Sequence, residues 1–210
     1  MGFVHFRATL EPSKQDLVEA WLPSRSWAPG VTSVEKVAEY RFDDPAGEVG
    51  VETILWRTAD GTVLQVPYTY RSAPLEGADS YLVGTSEHSV LGTRWVYDGC
   101  ADPVWASAVA TAILTGGTQA QMVIERDGEM VDVPPRMEVR GSGSPGAVVP
   151  AITSVDSVQH DGAVTTVSAG SLTLVLVRVV GTPVSGDATL TGAIGDTELG
   201  ALAALSVRAE

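Results

Sequence analysis

The chain has a single cysteine, Cys100, among its 210 residues, so no disulfide can form within it. Its amino-terminal stretch, MGFVHFRATL, lacks the basic-then-apolar pattern of a secretory signal. No apolar run reaches the roughly 18 residues that a membrane-spanning helix requires. Together these absences predict a reduced, cytoplasmic protein that has no association with a membrane.

Basic residues are also scarce. Lys and Arg together number 13 against 26 Asp and Glu, a formal net charge of -13. Phosphate backbones repel such a chain on average, so we expect no nucleic-acid partner. Lys14 and Lys36 are its only lysines, and no Gly-Lys-Ser/Thr phosphate loop occurs. Neither a second cysteine nor a paired histidine accompanies His88 and Cys100, so we expect no metal and no cofactor.

The composition is that of a globular chain, with 44% hydrophobic and 19% charged residues. Alternating apolar positions predict a strand from Val4 to Leu10. A helix follows, with Ser13 as its cap, and it ends before Pro23. The next alternating segments predict an antiparallel meander of three strands: 34–43, 48–58 and 62–71. Asp60-Gly61 marks a tight hairpin between the last two, and Pro67 predicts an edge position or a bulge for the third.

The stretch from His88 to Gly117 combines a predicted strand, 89–98, with a helix. Asp102 can accept hydrogen bonds from the first free backbone amides of that helix, and Pro103 suits its first position. Gly116-Gly117 ends it. A further hairpin, 121–126 with 129–133, is predicted around Asp127-Gly128.

The segment GSGSPG, 141–146, predicts a flexible joint between a first domain, 1–140, and a second, 147–210. Three strands are expected in the second domain: 152–158, 163–167 and 172–180. The last is nearly all apolar and therefore central. Residues 199–205 predict a terminal helix. The expected fold class is α+β: an antiparallel sheet with packed helices, followed by a small β-rich subdomain.

Catalytic groups are hard to assemble from this sequence. Cys100 with His88 would lack an orienting group and an oxyanion site, so a buried, inert thiol is the better interpretation. The acids around the turn at 43–52 favour turn geometry and solubility over paired-carboxylate hydrolysis. The remaining aromatic residues suit either core packing or a platform for sugars: Tyr68, Tyr70, Trp95, Tyr97 and Trp105.

Four segments then point to a known family. They are LPSRSWAPG (22–30), DDPAGEVGVET (43–53), LQVPYTYR (64–71) and HSVLGTRWVYDGCADPVW (88–105). In this order they resemble the amino-terminal cap domain of actinobacterial maltokinases and related aminoglycoside-phosphotransferase-like sugar kinases, over roughly residues 1–135. The resemblance implies an α+β cap whose helices pack on a curved antiparallel sheet.

In such kinases a strand bearing a nucleotide-binding lysine follows the cap, and a helical lobe supplies the catalytic aspartate and the metal ligands. The segment GSLTLVLVRVV, 170–180, is similar to that strand, with Val175 where the lysine would fall. No lysine follows Lys36, and the sequence ends at Glu210 with no catalytic loop. The resemblance therefore implies a degenerate kinase subdomain at 147–210, and we expect no enzymatic activity.

The expected function is a non-catalytic accessory or regulatory module that engages a protein partner, a kinase or a glycan-metabolising enzyme, in glucan or amino-sugar metabolism. The alternative is a small-molecule or oligosaccharide-binding protein, and the oligomeric state stays open. The candidate binding residues lie on two of the predicted strands: Gln65, Tyr68, Tyr70, Arg71, Arg94, Trp95, Tyr97 and Asp98.

Overall fold

Antiparallel strands dominate the computed structural model, which describes residues 8–126 and 129–208. The first sheet has the order β1-β5-β6-β4-β3-β2. Its strands are β1 (Leu10–Glu11), β2 (Val34–Phe42), β3 (Gly50–Thr58), β4 (Val63–Arg71), β5 (Leu82–His88) and β6 (Gly92–Asp98). The expected α+β class is confirmed in this broad form, as mostly antiparallel sheet with few helices.

A second sheet follows, with the order β10-β11-β12-β14-β13-β9. Its strands are β9 (Glu138–Gly141), β10 (Ser157–Asp161), β11 (Val164–Ala169), β12 (Leu172–Val177), β13 (Ala188–Ile194) and β14 (Thr197–Val207). Between the two sheets the chain forms a separate hairpin, β7 (Met122–Arg126) with β8 (Glu129–Val133). That pairing confirms the predicted hairpin, whereas its expected turn residues, 127–128, lie outside the described residues.

The two helices, α1 (Lys14–Trp21) and α2 (Pro103–Thr115), begin where the sequence predicts. Ser13 and Asp16 form a reciprocal capping box on α1. The Asp102 side chain accepts a hydrogen bond from the Val104 amide, and Gly116 ends α2 in the left-handed conformation. Of the strand predicted before α1, only Leu10 belongs to β1, and residues 1–7 lie outside the described part.

The predicted meander is confirmed as β2, β3 and β4, but the edge position expected from Pro67 is wrong. Strand β4 lies inside the sheet, between β3 and β6. Its ladder with β6 runs only from Tyr68 to Arg71, and the Gln65 amide instead donates to the Arg178 carbonyl at 2.8 Å. Pro67 therefore lies in the gap between two sets of hydrogen bonds. Because no hydrogen bond is needed from its backbone nitrogen there, the missing amide proton does not weaken the ladder.

Several other sequence-based boundaries change. The strand expected at 89–98 is the hairpin partner β6, which starts at Gly92, and β5 is not predicted by the sequence. In the second sheet, β10 starts at Ser157 rather than 152, and β9 and β13 are also absent from the sequence prediction. The expected helix at 199–205 is wrong, because these residues belong to β14, which pairs with β12 on one side and β13 on the other. The central position of β12 is confirmed.

The glycine-rich segment is not a flexible joint at its start, because backbone hydrogen bonds hold it. The Gly143 amide donates to the Ile113 carbonyl at 2.9 Å, and the Ser144 amide donates to the Leu114 carbonyl at 3.0 Å. A Cβ atom on Gly141 or Gly143 would lie 1.9 Å from a carbonyl oxygen of α2. Glycine is needed here because two backbones meet directly. The division into domains 1–140 and 147–210 stays a prediction.

Two clusters of buried side chains stabilise this arrangement. The larger one joins residues of β2 and β3 to α2 and to the second sheet, and includes Phe42, Leu55, Ile113, Leu174 and Leu202. The smaller one packs α1 against the other face of the first sheet, around Val18 and Ile54. Helix α2 therefore lies against both sheets, and its outward side borders the open recess described below.

Candidate functional site

The predicted recognition residues are brought together, because β4 and β6 are neighbours. Tyr68 pairs with Asp98, and Arg71 pairs with Trp95. The eight side chains, however, do not form one continuous exposed surface. Gln65, Tyr68, Tyr97 and Asp98 are at most 1% exposed, so a partner docking on this structure cannot reach them. Of the eight, four are half-buried: Tyr70, Arg71, Arg94 and Trp95.

Asp98 takes part in a buried ion pair that sequence reasoning missed. Arg178, directly after β12, places Nη2 2.6 Å from Asp98 Oδ2, and neither side chain is more than 1% exposed. Arg178 Nε donates to Thr165 Oγ1 at 2.8 Å, and its guanidinium carbon lies 4.5 Å from the centre of the Trp27 ring. Burial alone would lower the pKa of Arg178, but the charge of Asp98 raises it above its ordinary value.

Cys100 belongs to the same cluster. Its Sγ lies 3.3 Å from Arg178 Nη2, and its amide donates to Asp98 Oδ1 at 3.2 Å. Burial raises the pKa of the Cys100 thiol well above its ordinary value. His88 accepts hydrogen bonds at Nδ1 from the Val90 and Leu91 amides and so stabilises the β5–β6 turn. Cys100 is therefore buried, as the sequence predicts, and its raised pKa disfavours the reactive thiolate.

Gln65 connects the two sheets through its side-chain amide. Its Nε2 donates to the carbonyls of Val177 at 2.7 Å and Leu202 at 2.9 Å. Its Oε1 accepts from Tyr40 Oη at 3.0 Å. A buried amide whose three hydrogen bonds reach three other strands is a structural crosslink, because leaving any of these groups unpaired would cost free energy.

Two further ion pairs stabilise the first sheet. Glu52 is buried and accepts from Lys14 at 2.6 and 2.8 Å and from Tyr70 Oη at 2.7 Å. Burial works to raise the pKa of Glu52, but Lys14 and Arg41 outweigh it and lower the value to about 2. Arg71 binds the Asp102 carboxylate through two nitrogens, at 2.6 and 2.7 Å.

The aromatic residues do not form an exposed platform. Tyr68, Tyr97 and Trp105 are each 1% exposed, so core packing is confirmed for these three. Trp56 Nε1 donates to Tyr68 Oη at 3.0 Å, and Tyr97 Oη accepts from the Leu75 amide at 3.0 Å. Trp95 stays half-buried beside Arg94, whose Nη2 donates to the Leu91 carbonyl.

Two open recesses lie elsewhere, beside α2. A recess of about 510 Å³ is bordered by Val104, Ser107, Ala108 and Thr111 of the helix, and by residues 42–45 and 152–153 opposite them. A second recess, of about 380 Å³, lies beyond the start of the helix, between residues 75–81 and 153–158. Pro103 and Thr153 border both recesses. We call the two together the α2 groove.

Other classes of site find no support in the described residues. Within residues 8–126 and 129–208, no three His, Cys, Asp or Glu side chains are grouped so that they could hold a metal ion. The same part of the chain contains no helix with the length and apolar character needed to cross a bilayer.

Comparison with known proteins identifies a family to which most of the first sheet is similar. Residues 21–102 match the maltokinase N-terminal cap domain family. This part of the chain, from the end of α1 through β6, is similar to that family, and the resemblance drawn from the sequence is confirmed over this range. A comparison with curated proteins finds no match.

The matched segment ends at Asp102, so α2, the second sheet and most of the α2 groove lie outside it. Arg178 also lies outside it, although its partner Asp98 lies within. One signal could have revealed Arg178: a single charge inside the apolar run LTLVLVRVV must find a buried partner or leave the core. Nothing in the sequence identifies Asp98 as that partner.

Proposed function

We propose that this chain is a non-catalytic accessory or regulatory module, in which a maltokinase cap-like domain and a second β-sheet form one scaffold that binds a protein partner. The metabolic setting that we propose is glucan or amino-sugar metabolism, and it depends on the family of the cap-like segment alone, since a fold by itself does not define a function. The proposed compartment is the cytoplasm.

One observation carries the proposal. The side chains with chemical reactivity bind one another in the core, whereas the α2 groove is open to a partner. Asp98, Cys100 and Arg178 bind one another in the core, where a substrate cannot reach them. The α2 groove is open to solvent, and small and apolar side chains form much of the wall of its first recess. Such a surface suits the docking of another chain better than it suits bond cleavage.

The alternative, binding of a small molecule or an oligosaccharide, has weaker support. Sugar sites use exposed aromatic faces, and three of the five candidate rings are buried in the core. Tyr81 is half-buried at the second recess and is the aromatic residue there that a sugar could contact.

The test is reconstitution. Proteins cross-linked to the tagged chain in its native cell are identified, and the kinases and glycan-metabolising enzymes among them are purified and mixed with the chain. We expect one of these to form a complex of defined stoichiometry and to change in activity when the chain is added. If none of them binds, or if the purified chain phosphorylates a sugar by itself, the proposal is wrong.

Calorimetry distinguishes the alternative. Maltose, trehalose, glucosamine and short glucans are titrated into the purified chain. We expect no saturable heat. A saturable isotherm with any of these ligands would favour sugar binding over an accessory role.

A further inference from the structure

We propose that the α2 groove binds a cationic, amphipathic peptide segment of a protein partner. This inference depends on the proposed function, because it specifies the surface and the chemistry through which the partner is bound. Three features of the molecule support it: the length of the groove, the character of its wall and the acidic residues along its border.

The wall of the first recess follows one face of α2. Val104, Ser107, Ala108 and Thr111 recur at the three- and four-residue spacing of a single helix face. A helix from Pro103 to Thr115 is ~20 Å long at 1.5 Å per residue. The recess therefore offers a track along which a peptide segment can lie lengthwise, rather than a compact pocket for a small molecule.

The wall attracts apolar side chains because two of its hydroxyl groups already donate within the helix. Thr111 Oγ1 donates to the Ser107 carbonyl at 2.7 Å, and Thr115 Oγ1 donates to the Thr111 carbonyl at 2.7 Å. With these donors used, the surface offers mainly the methyl and methylene groups of Val104, Ala108 and Ile152. Covering such groups with a partner's apolar side chains removes them from water.

Acidic residues border both recesses of the groove. Asp44 borders the first recess, and Glu76 and Asp156 border the second. The described residues that line the two recesses include no lysine and no arginine. Asp44 is fixed in place, because its carboxylate accepts from the amides of Ala46, Glu48 and Val49 at 2.9 to 3.0 Å.

The basic group bound at the start of α2 is already neutralised. Arg71 binds both carboxylate oxygens of Asp102, the residue before Pro103. At physiological salt, charges interact over ~8 Å, so the local acids decide which partners are attracted. An occupant that combines apolar residues with lysines or arginines suits both the apolar wall and the acidic border, whereas an acidic segment would be repelled.

A peptide selection tests this inference even while the partner is unidentified. Random peptides of about 16 residues, long enough to span the helix, are displayed on phage and selected on the full chain. Counter-selection uses the Thr111→Arg variant. Thr111 is exposed, and Arg favours helices, so this variant is expected to fold while it fills the groove with a positively charged side chain. We expect the enriched peptides to combine apolar residues with Lys or Arg.

The selected peptides are then labelled and titrated by fluorescence anisotropy. We expect Thr111→Arg and Glu76→Lys each to weaken binding about tenfold, a loss of ~1.4 kcal/mol. Glu198→Lys makes the same charge change at an exposed site outside the groove lining and should leave the affinity close to that of the wild type. Acidic or uncharged consensus peptides, or equal effects of Glu76→Lys and Glu198→Lys, would overturn the inference.

The two proposals fail differently. If a reconstituted partner binds the Thr111→Arg variant as tightly as the wild type, the module still has its proposed function, but the groove is not the binding surface. If no partner is reconstituted while cationic peptides occupy the groove specifically, the surface assignment is correct and the metabolic assignment is wrong.

Discussion

Replacing Arg178 by methionine tests whether a buried ion pair joins the cap-like sheet to the second sheet. Methionine keeps much of the length of the side chain but removes the charge, and so leaves Asp98, 1% exposed, without its partner. Removing one member of a buried pair costs about 3–5 kcal/mol, because the other charge remains in the core uncompensated. The lost hydrogen bond to Thr165 acts in the same direction.

The assay is equilibrium unfolding in guanidinium chloride, followed by tryptophan fluorescence and circular dichroism. With a slope of ~4 kcal/mol per molar, a loss of ~4 kcal/mol moves the midpoint down by about 1 M. Arg57→Met is the matched control, because Arg57 forms a 3.9 Å pair with Glu35 at the surface, where both side chains are about half exposed or more. That variant should lose less than ~1 kcal/mol.

A double-mutant cycle completes the test. Asp98→Asn keeps an oxygen that can accept from the Cys100 amide, so the double variant Asp98→Asn with Arg178→Met removes both charges and retains that bond. We expect the double variant to lose less than the sum of the two single losses, by ~2 kcal/mol. Additive losses, or an Arg178→Met midpoint no lower than that of Arg57→Met, would refute the reasoning.

Three further predictions concern other buried features. Because the folded-state pKa of Glu52 is about 2, below the ordinary value of 4.5, its ionisation stabilises the fold fully above pH 4.5 and the effect is lost as the pH falls toward 2. The difference in unfolding free energy between wild type and Glu52→Gln should shrink over that window, and a constant difference would contradict this. Gly143→Ala should cost about 3 kcal/mol in urea unfolding, since the new Cβ meets the Leu114 carbonyl; Gly50→Ala, with 3.4 Å of space, should cost much less. The Cys100 thiol should react with a disulfide reagent only after unfolding, and fast labelling of the native chain would show that it is accessible.

The parts of the fold that the sequence predicts correctly are those that short-range chemistry decides. Ser13 with Asp16, and Asp102 with Pro103, determine helix starts within a few residues of chain. Asp60-Gly61 likewise predicts a turn from its own backbone preferences. None of these features depends on where the rest of the molecule lies.

The incorrect predictions, the helix at 199–205 and the edge position of β4, have a common cause: both depend on how strands pair in the folded chain. The segment that contains Leu202 to Leu205 is rich in Ala and Leu, which favour helices, but β14 has hydrogen-bonding neighbours on both sides and those four side chains are buried. Burial on both faces of a central strand removes the alternation that identifies a strand in a sequence. The edge position expected from Pro67 fails for a related reason, because only the structure shows where the β4 ladder is interrupted.

The sequence does not predict the candidate site either, because its residues lie far apart along the chain. Asp98 stands beside aromatic residues in the sequence, but its partner Arg178 is 80 residues further along the chain, and only the packing of two sheets brings them together. The sequence does not predict the α2 groove, because its wall is a helix face whose neighbours come from 42–45 and 152–153. Concavity is a property of assembled elements, and a sequence pattern does not report it.

The position at which the family match ends has a physical consequence for how the two sheets depend on each other. Asp98 and Asp102 are the last carboxylates of the cap-like segment, and Asp98 is compensated by Arg178, a residue of the second part of the chain. Phe42 and Leu55, both within the segment, belong to the same buried cluster as residues of the second sheet. The cap-like segment therefore covers one face of its sheet, and neutralises one of its buried charges, with residues that lie outside the family match. A change that loosens the second sheet is therefore expected to weaken the cap-like sheet as well. If a partner binds in the α2 groove, which both parts border, we expect it to stabilise the two together.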